Sequence, residues 1–517
     1  MLHLAPLAST KDLPLTPLTP APKDAPRYPG LPIVGPLFEM RKDYISFLRR
    51  AAAMGDVVKA DVGPHRAYLL NHPDAVGHVL VEHFRDYEKQ TRGYTALRMV
   101  VGNGLVTSEG PFWQRQRRIA NPAFKKHKIN DFGPDMVGAA QRMVAKWQPA
   151  IAAGQPIDIA NDMMRVTLDI VCRTLLSADV NDHASEIGKA LHELLTQTMG
   201  RITKVVDLPL HWPTPANIRF RRARASLDRI VLGMIEERRQ SGHDPHDLLS
   251  LLMSAVDEET GEKMNDAQLR DEAMTIFLAG HETTANALGW AMYLLSQHPT
   301  VEAKVRAELA DVLGDQSVQT ADFARLPYLQ MVLKETMRLY PPVWILARRA
   351  VKDDVILGYK IDKGAYVFLP TYTLHRHPQF WQRPDSFEPE RWATDGKGMH
   401  KYQYLPFSVG GRKCIGDHFA MLEATLVLAT MLPQVQLSLV PGQNIELEPT
   451  ITLRPRHGLW MQPTRAQPSV HAERPLQSAA PEQTAECAHP PEVVAPLTRT
   501  PKTSGCPFHA GRTPVAG

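Results

Sequence analysis

Over residues 264–297 apolar positions recur at helical spacing for longer than an ordinary globular helix needs, with Asn265-Asp266 placed to cap the start and His298-Pro299 to stop the end. At 1.5 Å per residue this predicts a helix roughly 50 Å long, enough to cross an entire large domain. Such a helix must be covered on most sides, and helical spacing over roughly 132–149, 158–177, 184–200 and 215–240 supplies the covering elements. Strand-like pieces are few. Residues 56–71 read as a hairpin, because Val57-Val58, Ala60 and Val62 precede Gly63-Pro64 and Ala67-Tyr68-Leu69-Leu70 follow. Further strands are expected over 355–361, 365–369 and about 449–462. With 517 residues, 44% of them hydrophobic, the chain can bury one large core. The expected fold class is mainly α with small β-sheets at its edges, an α+β arrangement in a single large domain.

The two ends differ from this body. Residues 1–28 read as a flexible leader, since leucines alternate with prolines and with Lys11, Asp12, Lys23 and Asp24. That composition offers neither the ~20 apolar residues of a transmembrane anchor nor a secretory apolar region. Pro29-Gly30-Leu31-Pro32, with Gly35 and Pro36, forms a stiff entry to a domain expected over 29–462. Residues 463–517 turn to Pro, Ala, Ser, Thr and Glu and are expected to be a disordered tail, Cys506-Pro507-Phe508-His509 included. Cys172, Cys414, Cys487 and Cys506 form no CxxC pair, which disfavours a disulfide framework or a zinc site and fits a reducing cytoplasm. A net charge of +4 is too small to argue for a nucleic-acid partner.

Chemistry enters with Phe407-Ser408-Val409-Gly410-Gly411-Arg412-Lys413-Cys414-Ile415-Gly416. A thiolate on iron needs a pre-bent backbone whose N–H groups face the sulfur, which glycines permit, and an aromatic packed beside it. Within the long helix, Ala279-Gly280-His281-Glu282-Thr283-Thr284 joins small residues that admit a flat ligand to a carboxylate adjoining a hydroxyl. Thr283 can bond back to an earlier carbonyl and, beside Gly280, loosen the helix enough to admit water. Glu335-Thr336-Met337-Arg338 sets a carboxylate and a guanidinium on one helix face, and Pro389-Glu390-Arg391-Trp392 adds a second guanidinium. Trp113 and Arg117 of a WxxxR segment, and Arg349 after Pro341-Pro342, are donors suited to a carboxylate.

In this order these segments resemble the cytochrome P450 superfamily of haem-thiolate monooxygenases, soluble bacterial type, whose FxxGxRxCxG loop is matched at every fixed position. The resemblance covers about 29–462 and implies a single cytochrome P450 fold with a long central helix crossing haem b, iron protoporphyrin IX. It implies Cys414 as the iron ligand, flanked by Phe407 and followed by Gly416. Ala279 is then beside the haem, and Trp113, Arg117, Arg349 and Arg412 serve the propionates. Glu282 becomes the acid and Thr283 the alcohol of a proton relay, while Glu335, Arg338 and Arg391 form a buried structural network. The implied activity is an oxidoreductase one: dioxygen and two external electrons hydroxylate or epoxidise an apolar small-molecule substrate such as a fatty acid or terpene. The run from Ala279 to Thr284 looks closest to bacterial relatives that hydroxylate fatty acids.

Alignment with the family puts Val106, Ala279 and the mostly apolar residues 343–346 and 451–453 towards the substrate; Val106, where some relatives carry an aromatic, suggests room for a long or bulky one. Gly102-Asn103-Gly104 lacks a nucleotide-binding continuation and no iron–sulfur cysteine cluster exists, so electrons are expected from an acidic redox partner, a ferredoxin or flavodoxin with its reductase. Arg115, Arg117, Arg118, Lys125, Lys126, Lys128 and Lys413 are its expected docking face. Two alternatives stand beside this reading. A peroxide-driven peroxygenase or isomerase is disfavoured by the Glu282-Thr283 relay, and a non-enzymatic haem sensor or carrier would need neither the relay nor the docking face.

Overall fold

The computed structural model describes residues 21–176, 180–203, 208–241 and 247–466. The chain divides into two units, Met1–Ser469 and Val470–Gly517, and all described residues lie in the first. The expectations for Cys506-Pro507 and for residues 1–20 fall outside the described residues.

The long helix spans Asp266–Gln297, about 48 Å at the usual rise. Its start is a reciprocal cap: the Gln268 N–H donates to the Asn265 side chain at 3.0 Å, and the Asn265 N–H to the Gln268 side chain at 2.9 Å. Pro299 opens the next helix, Pro299–Leu313. Buried residues face most of the circumference, with Glu272, His281, Glu282 and Thr284 among them, so this is a core helix rather than an amphipathic one. Helices Ile159–Leu176, Pro215–Ser241, Leu248–Ser254, Pro327–Leu339 and Asp417–Met431 pack around it. Trp290 anchors its later half, stacking on Tyr340 at 4.3 Å and donating to the Leu453 carbonyl at 3.1 Å.

The other expected helices are Gly133–Ala153, Ile159–Leu176, Val180–Thr203 and Pro215–Ser241. Asp417–Met431 adds one that spacing did not reveal, because burial on nearly all sides leaves no polar face to mark the period. The hairpin pairs Val57 with Leu70 in antiparallel register and joins a five-stranded sheet with Tyr366–Leu369, Leu346–Ala350 and Tyr87–Glu88. The single strand expected over 355–361 is instead a hairpin, Asp354–Ile356 with Tyr359–Ile361, turned at Leu357 and Gly358, both with positive φ. The last expected strand also divides: Leu453–Pro455 pairs with Leu447–Pro449, and Trp460–Arg465 lies between Ile157–Asp158 and Val435–Leu439.

Packing begins before Pro29. The Lys23 N–H donates to the Gly358 carbonyl at 2.8 Å, and Ala25 and Tyr28 are buried, so the last residues of the expected leader belong to the domain. No helix among the described residues is long and apolar enough to cross a membrane.

Candidate active site

The cysteine loop is shaped by close backbone contact. Gly410 has φ +72°, and a Cβ there would stand 2.3 Å from the carbonyl oxygen of Leu80, so conformation and space both demand glycine. Leu80 sits in His78–Glu82, a π turn that follows helix Pro73–Gly77. The Cys414 N–H donates to the Phe407 carbonyl at 2.9 Å and closes the loop. The thiol is exposed because it opens onto the cavity it lines, while protein packs around it densely enough that desolvation raises its pKa. The Gly416 N–H, Arg117 and Lys413 oppose that shift by favouring the thiolate.

That cavity holds about 330 Å³. The long helix contributes Thr275, Ile276, Ala279, Gly280, Thr283 and Thr284 to its wall, and the loop contributes Phe407, Arg412, Cys414 and Gly416. Trp113 and Arg117 come from helix Gly110–Ala120, Lys89 and Tyr94 from the segment before it, and Leu105, Val106, Val343 and Leu346 add apolar surface. The residues singled out for haem and for the relay therefore largely meet here: Trp113, Arg117, Ala279, Thr283, Phe407, Arg412, Cys414 and Gly416, with Val106, Val343 and Leu346 from the expected substrate side. Residues 451–453 do not line it, and a larger surface recess of about 510 Å³, formed within 27–36 and 61–66, contains none of these residues.

The Thr283 hydroxyl donates to the Ala279 carbonyl at 2.6 Å, the expected back-bond, yet the helix continues unbroken through it. Glu282 does not line the cavity. It is 2% exposed and accepts from the Thr452 hydroxyl, which in turn accepts from Asn286 Nδ2 at 2.9 Å. Burial raises the Glu282 pKa, against the lowering effects of Thr452 and Arg454. Thr284 faces a second carboxyl that sequence reasoning missed, Glu423 of Asp417–Met431, which is fully buried and pushed well above the usual range by desolvation.

The cations around the cavity test what it can hold. Arg412 lies 3.7 Å from the ring centroid of Trp113 and donates to the Ser108 carbonyl and to Glu109, each at 2.9 Å. The Arg117 guanidinium has neither hydrogen bond nor ion pair among the described residues, and burial lowers its pKa. Arg349 falls elsewhere: it pairs with Glu88, donates to Gln90 at 3.0 Å and is absent from the cavity wall. Strand alternation instead sends its neighbour Arg348 inward, buried at 5% exposure, within reach of the Tyr94 hydroxyl and close enough to depress the pKa of Lys89 and Arg412. Lys89 and Arg412 share Glu109 as a carboxylate neighbour, Arg117 feels Cys414 and Asp417, and Arg348 adds its charge beside Lys89 and Arg412, an excess of positive charge that suits a ligand carrying two carboxylates. Gly416 agrees, since a Cβ there would meet nothing nearer than Phe124 at 3.9 Å; the space beside it suits a flat group. The residues present fit haem. Lys89 gave no signal in the sequence because a lysine between polar neighbours reads as surface.

The Glu335 network lies outside this wall. Arg338 uses every guanidinium N–H: two bonds to Glu335 at 2.8 Å and three to the carbonyls of His375, Pro384 and Ser386. Glu335 also accepts from Arg391 at 3.1 Å, from the Trp392 indole at 3.0 Å and from the Glu388 N–H at 3.0 Å. The basic face is partly neutralised within the chain: Arg115 pairs with Glu262, Arg118 with Asp257 and Glu259, and Lys413 with Asp417. Lys125, Lys126 and Lys128 stay exposed.

Residues 26–468 match the family model described as Cytochrome P450. The chain is 37% identical to cyclooctatin synthase of Streptomyces melanosporofaciens over 82% of this chain and 92% of that protein. It is 35% identical to cyclooctat-9-en-7-ol 5-monooxygenase of the same organism, over 83% and 95%, and 32% identical to pentalenene oxygenase of Streptomyces avermitilis, over 81% and 92%. The crystal structure of the cytochrome P450DA heme domain is similar with a TM-score of 0.78 at 29% identity, covering 87% of this chain and 99% of that one.

Proposed function

Because the chain belongs to the cytochrome P450 family and is a haem b monooxygenase that uses dioxygen, external electrons and an apolar substrate, we propose that Cys414 binds its iron and that its substrate is a neutral terpene. When bound, haem supplies the chemistry that cleaves dioxygen and leaves one oxygen atom in the substrate and one in water. The chain's part is to hold, orient and move protons. Trp113, Arg117 and Arg412, with Lys89, would hold the propionates from the cavity wall, and Arg348, hydrogen-bonded to Tyr94 of that wall though not itself part of it, would take the place expected of Arg349. Ala279 and Gly280 keep the helix wall flat, and Phe407 and Gly416 shape the other side.

Glu282, whose pKa burial raises against the pull of Thr452 and Arg454, is the carboxyl that would carry the proton, and Thr283 presents its hydroxyl in the cavity. Proton delivery then requires the Glu282 side chain to swing from Thr452 towards Thr283, or water to bridge the two. A cytoplasmic location belongs to the same proposal, as does a domain that takes in the expected 29–462 together with the packed residues before Pro29 and the end of strand Trp460–Arg465. So does docking of an acidic ferredoxin or flavodoxin, which now rests on Lys125, Lys126 and Lys128, because Arg115 and Arg118 already have acidic partners and Arg117 lines the cavity.

One observation carries the substrate reading: among the described residues the cations of the cavity wall are Lys89, Arg117, Arg412 and Lys413, all accounted for by propionates, the thiolate or Asp417, which leaves none of these for a fatty-acid carboxylate. The relatives named for cyclooctatin and pentalenene favour a terpene in the same sense. The test is titration of the haem-loaded chain with pentalenene, cyclooctat-9-en-7-ol and a straight-chain fatty acid, read by the substrate-induced absorption shift. Shifts with the cyclic compounds are expected, and a shift with the fatty acid alone would reverse the substrate class.

A further inference from the structure

The segment that carries Leu105 and Val106 to the cavity is fastened to the long helix through its main chain. Asp271 accepts from the Asn103 N–H at 2.7 Å, and Glu272, the next residue, from the Leu105 N–H at 3.0 Å. Glycines permit the approach. A Cβ on Gly102 would stand 2.0 Å from Asp271 Oδ1, and one on Gly104 would stand 2.2 Å from Thr275 Oγ1 and 2.6 Å from the Asp271 carbonyl oxygen. Beyond Val106 the strap is held again, by Lys89 Nζ on the Val106 carbonyl at 2.8 Å and Arg412 on that of Ser108 at 2.9 Å. Two apolar side chains are thus suspended at the cavity between a carboxylate anchor at one end and a cationic anchor at the other.

The carboxylate anchor is built for holding rather than for solubility. Glu272 is fully buried, its second oxygen has no partner, and no cation is among the causes acting on it; desolvation lifts its pKa to about 8. A carboxyl kept in such a place against its desolvation cost is retained for the bond it makes, and that bond fixes a single backbone N–H.

We propose that Asp271 and Glu272 are specificity-determining positioning residues: by pinning residues 102–105 to the long helix they set the room that Leu105 and Val106 leave in the cavity, and so the bulk of substrate admitted. This rests on the haem reading above and touches neither the thiolate nor the relay. The pin acts through backbone, so any residue at 272 with an acceptor oxygen of the same reach can serve.

The experiment uses the haem-loaded chain and three probes of increasing bulk, imidazole, phenylimidazole and triphenylmethyl-imidazole, each read by the absorption shift when its nitrogen binds iron. Glu272→Leu removes the acceptor, and Gly104→Ala pushes the strap off the helix; both are expected to shrink the Kd ratio between the bulkiest and smallest probe by roughly tenfold. Glu272→Gln keeps an acceptor and should keep the wild-type ratio. The proposal is overturned if Gly104→Ala and Glu272→Leu both retain that ratio while their reduced carbon monoxide adducts keep the wild-type band, or if Glu272→Gln shifts it as much as Glu272→Leu. Should Glu272→Leu fail to load haem, Gly104→Ala decides alone. A wild-type chain with no azole-induced shift would instead overturn the haem reading itself.

Discussion

Glu335 with its two arginines and the polar residues of the long helix are buried to similar depth, but the first group closes its hydrogen bonds and the second leaves them open. Arg338 has an acceptor for each N–H, and Glu335 accepts from Arg338, Arg391, Trp392 and the Glu388 backbone. By contrast, Glu272, Thr275, His281 and Thr284 of the long helix and Glu423 facing it, of which Thr275 and Thr284 line the cavity, each keep an atom without a hydrogen-bond partner among the described residues. A closed network has one arrangement and defines a fold; an open set can change partners and pass protons. The same chain uses buried polarity for two purposes, and completeness of bonding tells them apart.

The sharpest test separates both regions from the metal. Cys414→His should abolish the red-shifted absorption band of the reduced carbon monoxide adduct, with the unfolding midpoint of the metal-free chain unchanged; a retained band would remove Cys414 from its role. Next in size, Arg338→Met should cost ~3–5 kcal/mol in denaturant unfolding, because Glu335 is left charged and short of donors, whereas Thr284→Val should cost under ~1 kcal/mol. Equal losses would erase the distinction between closed and open regions.

Glu272 gives a pH signature. Its carboxyl moves from an ordinary 4.5 to about 8 on folding, so the folded chain binds the extra proton between those values, and stability should fall as pH rises through them. Glu272→Gln should flatten that slope, and an identical slope in the variant would mean that the carboxyl titrates normally. For Thr283→Ala, haem content should stay intact while product formed per electron drops several-fold in favour of hydrogen peroxide; unchanged coupling would deny Thr283 its part in proton delivery. The smallest effect belongs to the surface. Charge reversal at Lys125, Lys126 and Lys128 should slow reduction by an acidic carrier a few-fold and more strongly at low salt, leaving peroxide-supported turnover as it was.

What was legible in the sequence was whatever short spacing encodes. The cysteine loop, the Glu335-Arg338 pair and the caps of the long helix are each set by residues a few positions apart, and each is found where spacing put it. Choices made by distant partners were not legible. Arg348 rather than Arg349 turns inward because Leu346–Ala350 pairs with Tyr366–Leu369 in one register, and parity follows from that pairing alone. Glu282 turns to Thr452, a residue from the far end of the domain, and Glu423 lies on a helix without a polar face to announce it.

The contact of Leu80 with Gly410 has a consequence for how this chain can change in length. A π turn is a helical turn that has absorbed one surplus residue, and here that surplus residue's neighbourhood delivers the Leu80 carbonyl to the one spot in the cysteine loop where a side chain would otherwise stand. Deleting a residue between His78 and Glu82 should relax the turn to ordinary helical winding, withdraw that oxygen and leave φ as the sole demand for glycine at 410, one that asparagine can also meet. The two stretches, more than three hundred positions apart, therefore form a matched pair in which a deletion in one changes which substitutions the other can accept.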